Sequence, residues 1–268
     1  MVFLVFCNKE RFKRVKEILP QRVVVLSPEV QEILFELGVG EKIVGNTKYC
    51  DYPEYAKNIT KVGDFKNPNI EKILSLKPDI IFVTDFVQKD TINTLKKLNL
   101  KYCVIYSRNI NEMFENILYI GEISGKQKQA KAIIKRLKKE LEHIKRIIPK
   151  PKVFPLLWDN PIYTAGDETI VNDMIERSGA INLAKFYGKN YFSIDEEFLI
   201  SSDIDFIILC DKSINTNSTL IKLIKKNKPD IEIISQINPD LMLRASSRII
   251  EGIKELNKIL YERTASKK

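Results

Sequence analysis

The run NIEKILSLKPDIIFV at residues 69–83 is restated at 195–209 as DEEFLISSDIDFIIL. Each copy reads as a short helix, a punctuated turn and an apolar strand. Each also sets a glutamate (Glu71, Glu197) eight residues before an aspartate (Asp79, Asp205) that leads into the strand. Short apolar runs of this kind, alternating with helical periodicity, belong to strands covered on both faces, the pattern of parallel sheets. A chain that states the phrase twice points to two α/β lobes, and its 268 residues are enough for both to bury a core.

The first lobe is expected over 22–125. Val23–Leu26 is a β-branched run stopped by Ser27-Pro28 and followed by a helix with Val30, Ile33, Leu34 and Leu37 on one face, closed by Gly38 or Gly40. A short strand follows at Ile43–Gly45. Asn69 is placed to cap a helix over Ile70–Leu76, and Pro78-Asp79 opens a strand at Ile80–Val83. A helix through Thr91–Leu98 and a strand at Tyr102–Tyr106 complete four strands joined by helices. Right-handed crossovers then bring the strand carboxyl ends to one edge.

A helix ends near Gly125, and then KQKQAKAIIKRLKKELEHIKRIIP carries Ala130, Ile133, Ile134, Leu137, Leu141, Ile144 and Ile148 on one stripe. This predicts one amphipathic helix over 126–148, of roughly 22 residues and about 33 Å. The second lobe, 149–268, begins after PKP. Lys152–Leu157 reads as a strand demoted to a sheet edge by Pro155. WDNPIYTAGDET reads as loop, TIVNDMIERSG as helix. After the restated phrase come a helix (Leu220–Lys226), a strand (Glu232–Ile234) and a last helix from Ser246 to Tyr261. The expected fold class is α/β: two parallel-sheet, Rossmann-like lobes joined by one long backbone helix, with a ligand cleft between the lobes at the strand carboxyl ends. A single helix tying two lobes allows only small hinge motions.

Composition excludes several functions. The net charge of +9 comes from scattered lysines and one lysine-rich helix, without the basic stripe and interleaved aromatics that would mark a nucleic-acid binder. Cys7, Cys50, Cys103 and Cys210 form no closely spaced pair, so zinc or iron–sulfur ligation is unsupported. Cys103 and Cys210 sit in apolar runs as small hydrophobes, whereas Cys50 adjoins a loop where exposure is expected. The one histidine, His143, lies on a solvated helix, and phosphate-cradling glycine loops and a nucleophile elbow are absent. The chain reads as a non-enzyme. Residues 1–21 begin MVFLVFC, too short an apolar run for a full signal or a membrane span. The segment stands as the tail of a signal that starts upstream, a short edge strand, or a lipid-attachment site at Cys7.

Aromatic residues crowd the expected interlobe loops: Tyr49, Tyr52, Phe65 and Phe86 in the first lobe, Trp158, Tyr163, Tyr187, Tyr191 and Phe192 in the second. Rings give wide contact at low entropy cost and suit a large planar or macrocyclic ligand rather than a bare ion. Arg244, in LMLRASSR, offers forked donors to a carboxylate, phosphate or amide of such a ligand, and Arg248 equally suits bracing the helix. No His/Asp/Glu cluster supports a bound metal ion.

The fragments RVVVLSPEVQEILFELGVGEKIVGNTKYCDYP, KVGDFKNPNIEKILSLKPDIIFV, YTAGDETIVNDMIERSGAINLA and RASSRIIEGIKELNKIL span residues 22–260. In their order and spacing they resemble the class III, helical-backbone substrate-binding proteins of ABC importers, in the branch that binds vitamin B12 and ferric siderophores. The resemblance implies an extracytoplasmic monomer, periplasmic or lipoprotein-anchored to the outer face of the cytoplasmic membrane. It implies delivery of cobalamin or a related corrinoid to a permease dimer with ATPase subunits, with a ferric siderophore or haem as the alternative cargo and no intrinsic cofactor. It also implies that Glu71 and Glu197 dock onto permease arginines, with Asp195 and Glu196 close enough to compete for the second place. Tyr49, Phe65, Phe86 and Tyr191 or Phe192 stand near the family's cargo contacts. The tryptophans common there are replaced by smaller aromatics, which leaves room for a different chelate.

Overall fold

The computed structural model describes residues 19–84 and 88–266. Cys7 and Phe86 therefore lie outside the described residues. The described residues divide into two compact units, one of those up to Tyr106 together with Asn111–Lys135, the other of Ser107–Ile110 together with those from Arg136 onward.

In the first unit β1 (Val23–Val25), α1 (Pro28–Glu36), β2 (Ile43–Asn46), α2 (Ile70–Ser75), β3 (Ile80–Val83), α3 (Lys89–Lys97) and β4 (Tyr102–Val104) alternate along the chain. The four strands make one parallel sheet in the order β2-β1-β3-β4. Val24, Leu26, Ile81 and Val83 lie against Ile73 of α2 and Leu95 of α3, so the apolar runs are covered by the helices that connect them. The Asn69 side chain accepts a hydrogen bond from Lys72 N at 2.9 Å and starts α2 as its cap.

Two helices follow, α4 (Ile110–Ile123) and α5 (Gln127–Leu141), separated by Gly125 at a φ of +68°. Here the sequence pattern misleads. α5 has 15 residues, about 22 Å, and does not continue to Ile148. Its apolar stripe is kept through Leu137, yet beyond Leu141 the chain turns so that Ile147 is buried and Ile148 exposed. The cause lies far along the chain. The Asn257 side chain accepts from Lys145 N at 3.0 Å and donates to Lys145 O at 2.8 Å, supplying both backbone partners that another helical turn would have provided.

The second unit holds β5 (Lys152–Leu156), the strands β6 (Trp158–Asp159) and β7 (Ile162–Ala165), α6 (Ile170–Arg177), β8 (Ile181–Asn182), β9 (Tyr191–Ser193), α7 (Glu196–Ser201), β10 (Phe206–Leu209), α8 (Thr219–Asn227), β11 (Glu232–Ile234), α9 (Asp240–Leu243) and α10 (Ile249–Ser266). Its parallel sheet runs β11-β10-β5-β8. Counted in order of appearance within each parallel sheet, both units place the first strand between the second and third and the fourth outside the third. The restated sequence phrase is therefore restated topology.

The aspartates of the phrase have matching tasks. Asp79 Oδ2 accepts from Gln21 N and Arg22 N, both at 2.8 Å, while Asp79 N donates to Arg22 O. Asp205 Oδ2 accepts from Lys152 N at 2.7 Å, and Asp205 N donates to Lys152 O. In each unit the carboxylate pins the entry of the third strand to the entry of the first, setting the register of a parallel pair that no tight turn can set. The two backbone donors hold the Asp79 carboxyl below its ordinary range. A depressed carboxyl contributes stability above the unfolded-state value of about 4, lost as pH falls through the folded one. Asp79→Asn should accordingly lower the urea midpoint at pH 7, and the wild-type and variant midpoints should converge towards pH 3. The shift should be modest, since the carboxylate is exposed.

Two further expectations are corrected. Lys152–Leu156 is an inner strand, flanked by β10 and β8. Proline is tolerated there because β8 pairs only with Lys152 and Val153, so at Pro155 there is no longer a neighbour on that side asking for an N–H. The stretch after Leu157, where the sequence predicts a loop, contains β6 and β7, which join β9 in a small antiparallel sheet ordered β6-β7-β9. Among the described residues no helix is long and apolar enough to cross a membrane.

Candidate functional site

The carboxyl ends of β1 to β4 form one edge of the first unit, and the ring-bearing loops leave from it. Residues 47–60 depart from β2 and return beside it: Asn46 bridges in parallel to Lys61, and Val62 N donates to Asn46 O at 2.8 Å. Tyr49 is 48% exposed on this loop, and its ring stands edge-on to Phe65 at 6.4 Å between centroids and 86° between planes. Lys48 Nζ lies 5.1 Å from the Tyr49 ring centroid and pairs with Asp64 at 2.6 Å. The Tyr52 ring is also exposed. Gly63, with φ at +114°, makes the turn between Tyr49 and Phe65 possible, since a Cβ would press on Asn69 N at 2.9 Å.

Beneath the rings lies a set of buried amides that sequence reading missed. Gln88 Nε2 donates to Leu26 O at 3.0 Å and Phe65 O at 2.8 Å, and its Oε1 accepts from Thr84 N at 2.9 Å. One side chain thereby ties the ends of β1 and β3 to the Phe65 loop. Asn46, the last residue of β2 and fully buried, donates through Nδ2 to Gln31 Oε1 at 2.6 Å, Ala56 O at 3.0 Å and Cys50 O at 3.3 Å. Gln31 Nε2 in turn donates to Tyr52 O at 2.9 Å. Cys50, expected at the surface, is buried under this loop, and burial raises its thiol pKa to about 11.

The second unit presents its rings on a ladder instead of a loop. Trp158 and Tyr163 are register partners across β6 and β7, and partners in an antiparallel pair share a face. Both rings are exposed, Trp158 at 46% and Tyr163 at 36%. Trp158 Nε1 donates to Asn160 O at 2.8 Å, and the Tyr163 hydroxyl to Tyr191 O at 3.3 Å. Phe192 turns the other way. It is paired with buried Thr164 and packs against the core of the unit. Gly166, after β7, approaches the Gly188 carbonyl so closely that a Cβ would collide with it, and Gly166 N donates to Asn190 O at 2.8 Å.

Asn182, the last residue of β8, repeats the arrangement at Asn46. Its Nδ2 donates to Ala165 O at 2.8 Å and to Asn172 Oδ1 at 3.1 Å, the latter an amide on the first helix after β5, reached through β6 and β7, as Gln31 lies on the first helix after β1. Arg244 is largely engaged. Its Nη2 lies 3.1 Å from Asp240 Oδ1, its side chain is 12% exposed, and Lys212 shares the same carboxylate at 3.1 Å. Cys210 is buried, its thiol pushed up to about 12. No group of three or more His, Cys, Asp or Glu able to hold a metal ion occurs among the described residues.

Glu71 and Glu197 occupy the same place in their units. Each is the second residue of a six-residue helix that precedes the pinned third strand, and each is exposed. Neither makes an ion pair or side-chain hydrogen bond with another described residue. By helix position the counterpart of Glu71 is Glu197, and Glu196 and Asp195 are offset from it.

The family described as "Periplasmic binding protein" matches residues 23–229 of this chain. An uncharacterized ABC transporter substrate-binding lipoprotein, YvrC of Bacillus subtilis strain 168, is 30% identical over 263 residues, covering 91% of this chain and 81% of that protein. Among solved structures, the periplasmic vitamin B12 binding protein BtuF of Vibrio cholerae superposes with a TM-score of 0.77 at 21% identity, over 92% of this chain and 98% of the other. The periplasmic heme-binding protein RhuT from Roseiflexus sp. RS-1 does so with a TM-score of 0.77 at 20% identity, over 91% and 99%. At those identities the two structures speak to fold.

Proposed function

The chain belongs to the periplasmic binding protein family, a non-catalytic class, and from that premise we propose that it is the extracytoplasmic substrate-binding protein of an ABC importer, with a metal chelate as cargo. Within that class we propose a tetrapyrrole-type chelate, haem or a corrinoid such as cobalamin, held by the rings at the carboxyl ends of the strands. The observation that carries this reading is the pair of aromatic surfaces: Tyr49 crossed on Phe65 in one unit, Trp158 beside Tyr163 in the other. Large exposed rings held by buried amides suit a broad apolar macrocycle, whereas a bare ion would need a cluster of carboxylates and imidazoles. The solved structures of like fold include a vitamin B12 binding protein and a heme-binding protein, and a chelate of either kind fits the rings described. Arg244, already paired with Asp240, serves this reading as a fixed positive end of the site, and Tyr191 as backbone support for Tyr163.

Titration of the purified protein with haemin, cyanocobalamin and a ferric siderophore tests the reading, followed by Trp158 fluorescence and chelate absorbance. One tetrapyrrole should bind saturably, with quenching of Trp158. Tyr49→Ala and Trp158→Ala should each weaken it roughly tenfold, about 1.4 kcal/mol, the scale of one well-placed ring. Binding of the siderophore alone would move the cargo to the other chelate type. No binding of any of the three at about 10 μM would overturn the reading.

A further inference from the structure

We propose that Lys61 is a positioning residue for the ring-bearing loop of the first unit: by clamping the carbonyls of Cys50 and Ala56, it fixes where residues 47–58 hold Tyr49 and Tyr52. The inference rests on the reading of those rings as cargo contacts.

The geometry is that of a clasp. Lys61 Nζ donates to Asn46 Oδ1 at 2.8 Å, Ala56 O at 3.0 Å and Cys50 O at 3.4 Å. An ammonium has three N–H donors, and three oxygens meet them. The two carbonyls belong to the two ends of one loop segment, and both also receive Asn46 Nδ2. Tyr52 lies within the closed segment and Tyr49 immediately before it. Lys61 is itself anchored, bridged to Asn46 at the end of β2. Its direct contacts among the described residues are these three oxygens, and the Asp51 carboxylate of the same loop favours its charge from farther off. Burial outweighs this and lowers its pKa from the ordinary lysine value.

Comparison of the two units shows why a cation is needed here. In the second unit Asn182 ties the end of β7 at Ala165 to the turn at Ala184, and Trp158, Tyr163 and Tyr191 sit on strands of an antiparallel sheet. In the first unit the rings stand on residues that form no sheet with one another, only a short 3₁₀ turn over Glu54–Asn58. Charge-assisted bonds from Lys61 take the place of that missing ladder.

The test compares Lys61→Met, Lys61→Gln and Lys61→Arg in the full chain, by hydrogen exchange of the protein without cargo and by titration with haemin and cyanocobalamin. In Lys61→Met, exchange at the amides of 47–58 should accelerate at least tenfold while β1 and β3 amides keep their protection. Affinity for the tetrapyrrole that binds wild type should fall about tenfold, and Lys61→Arg, which keeps the charge, should recover part of both effects. Tyr49→Ala should weaken binding without altering exchange. Unchanged exchange over 47–58 in Lys61→Met would overturn the proposal, as would a loosened loop with undiminished affinity. If Lys61→Met and Lys61→Gln both lose protection across the whole sheet, Lys61 determines the fold of the unit and the proposal fails. If wild type binds neither tetrapyrrole, the cargo reading fails separately, and the exchange result alone decides whether Lys61 holds the loop.

Discussion

Reversing both Glu71 and Glu197 to lysine should abolish cargo uptake by cells while the purified protein holds its cargo as tightly as before. The two carboxylates stand at the same position of equivalent helices, exposed and without partners among the described residues. A charge repeated in this way on a duplicated fold suits a partner built from two like subunits, whose cations would be repeated too. Close charge pairs across protein interfaces couple by about 1.5–7 kcal/mol, and opposing like charges reverses that gain. Two reversals should therefore slow delivery by more than a thousandfold, and either one alone by less. A purely local role predicts otherwise. A first-turn carboxylate contributes about 0.3–1 kcal/mol to its helix, so the double variant would be slightly less stable and still transport. Uptake of labelled cargo by cells carrying the importer, beside titration of the purified variants, separates the two.

Asn46→Leu should be the most damaging single change within the first unit, lowering its stability by about 3 kcal/mol in urea unfolding followed by circular dichroism. The side chain is nearly isosteric, so the cost comes from polarity and not from a cavity. Leucine would leave Gln31 Oε1 without its donor, remove one of three acceptors from Lys61, and strip a donor from the Cys50 and Ala56 carbonyls. Each buried polar group left unsatisfied costs about 1–3 kcal/mol, more where a charge is involved. Asn182→Leu should act alike in the second unit, where the Ala165 carbonyl, Asn172 and Ala184 N lose their partner. A change below about 1 kcal/mol in both would mean that the amides are replaceable by water and do not shape the loops above them.

The parallel strands were legible because a strand covered on both faces must be written in apolar residues throughout, as Ile80–Val83 and Phe206–Leu209 are. The aspartate pins are visible as a repeat, but their task rests on Arg22 and Lys152, partners 57 and 53 positions away that no local pattern marks. What escaped was long-range or very short. Asn257 ends the regular course of α5 from a distance of 112 residues, and an apolar stripe carries no information about such a partner. Trp158-Asp159 makes a strand of two residues, below the length at which alternation can be recognised. The bracing amides, Asn46, Gln88 and Asn182, are polar residues at element ends, where sequence pattern assigns turns. Their burial follows from loops folding back over them, a property of tertiary structure.

Pro155 has a consequence beyond its own strand. It lacks an N–H, and its carbonyl is taken by the Thr164 hydroxyl at 2.7 Å. Beside it β8 is only two residues long. A neighbouring molecule seeking to add a strand along that flank finds almost no free rungs, which discourages edge-to-edge stacking into aggregates. A protein that must stay dispersed while exposing large rings gains from having this flank closed.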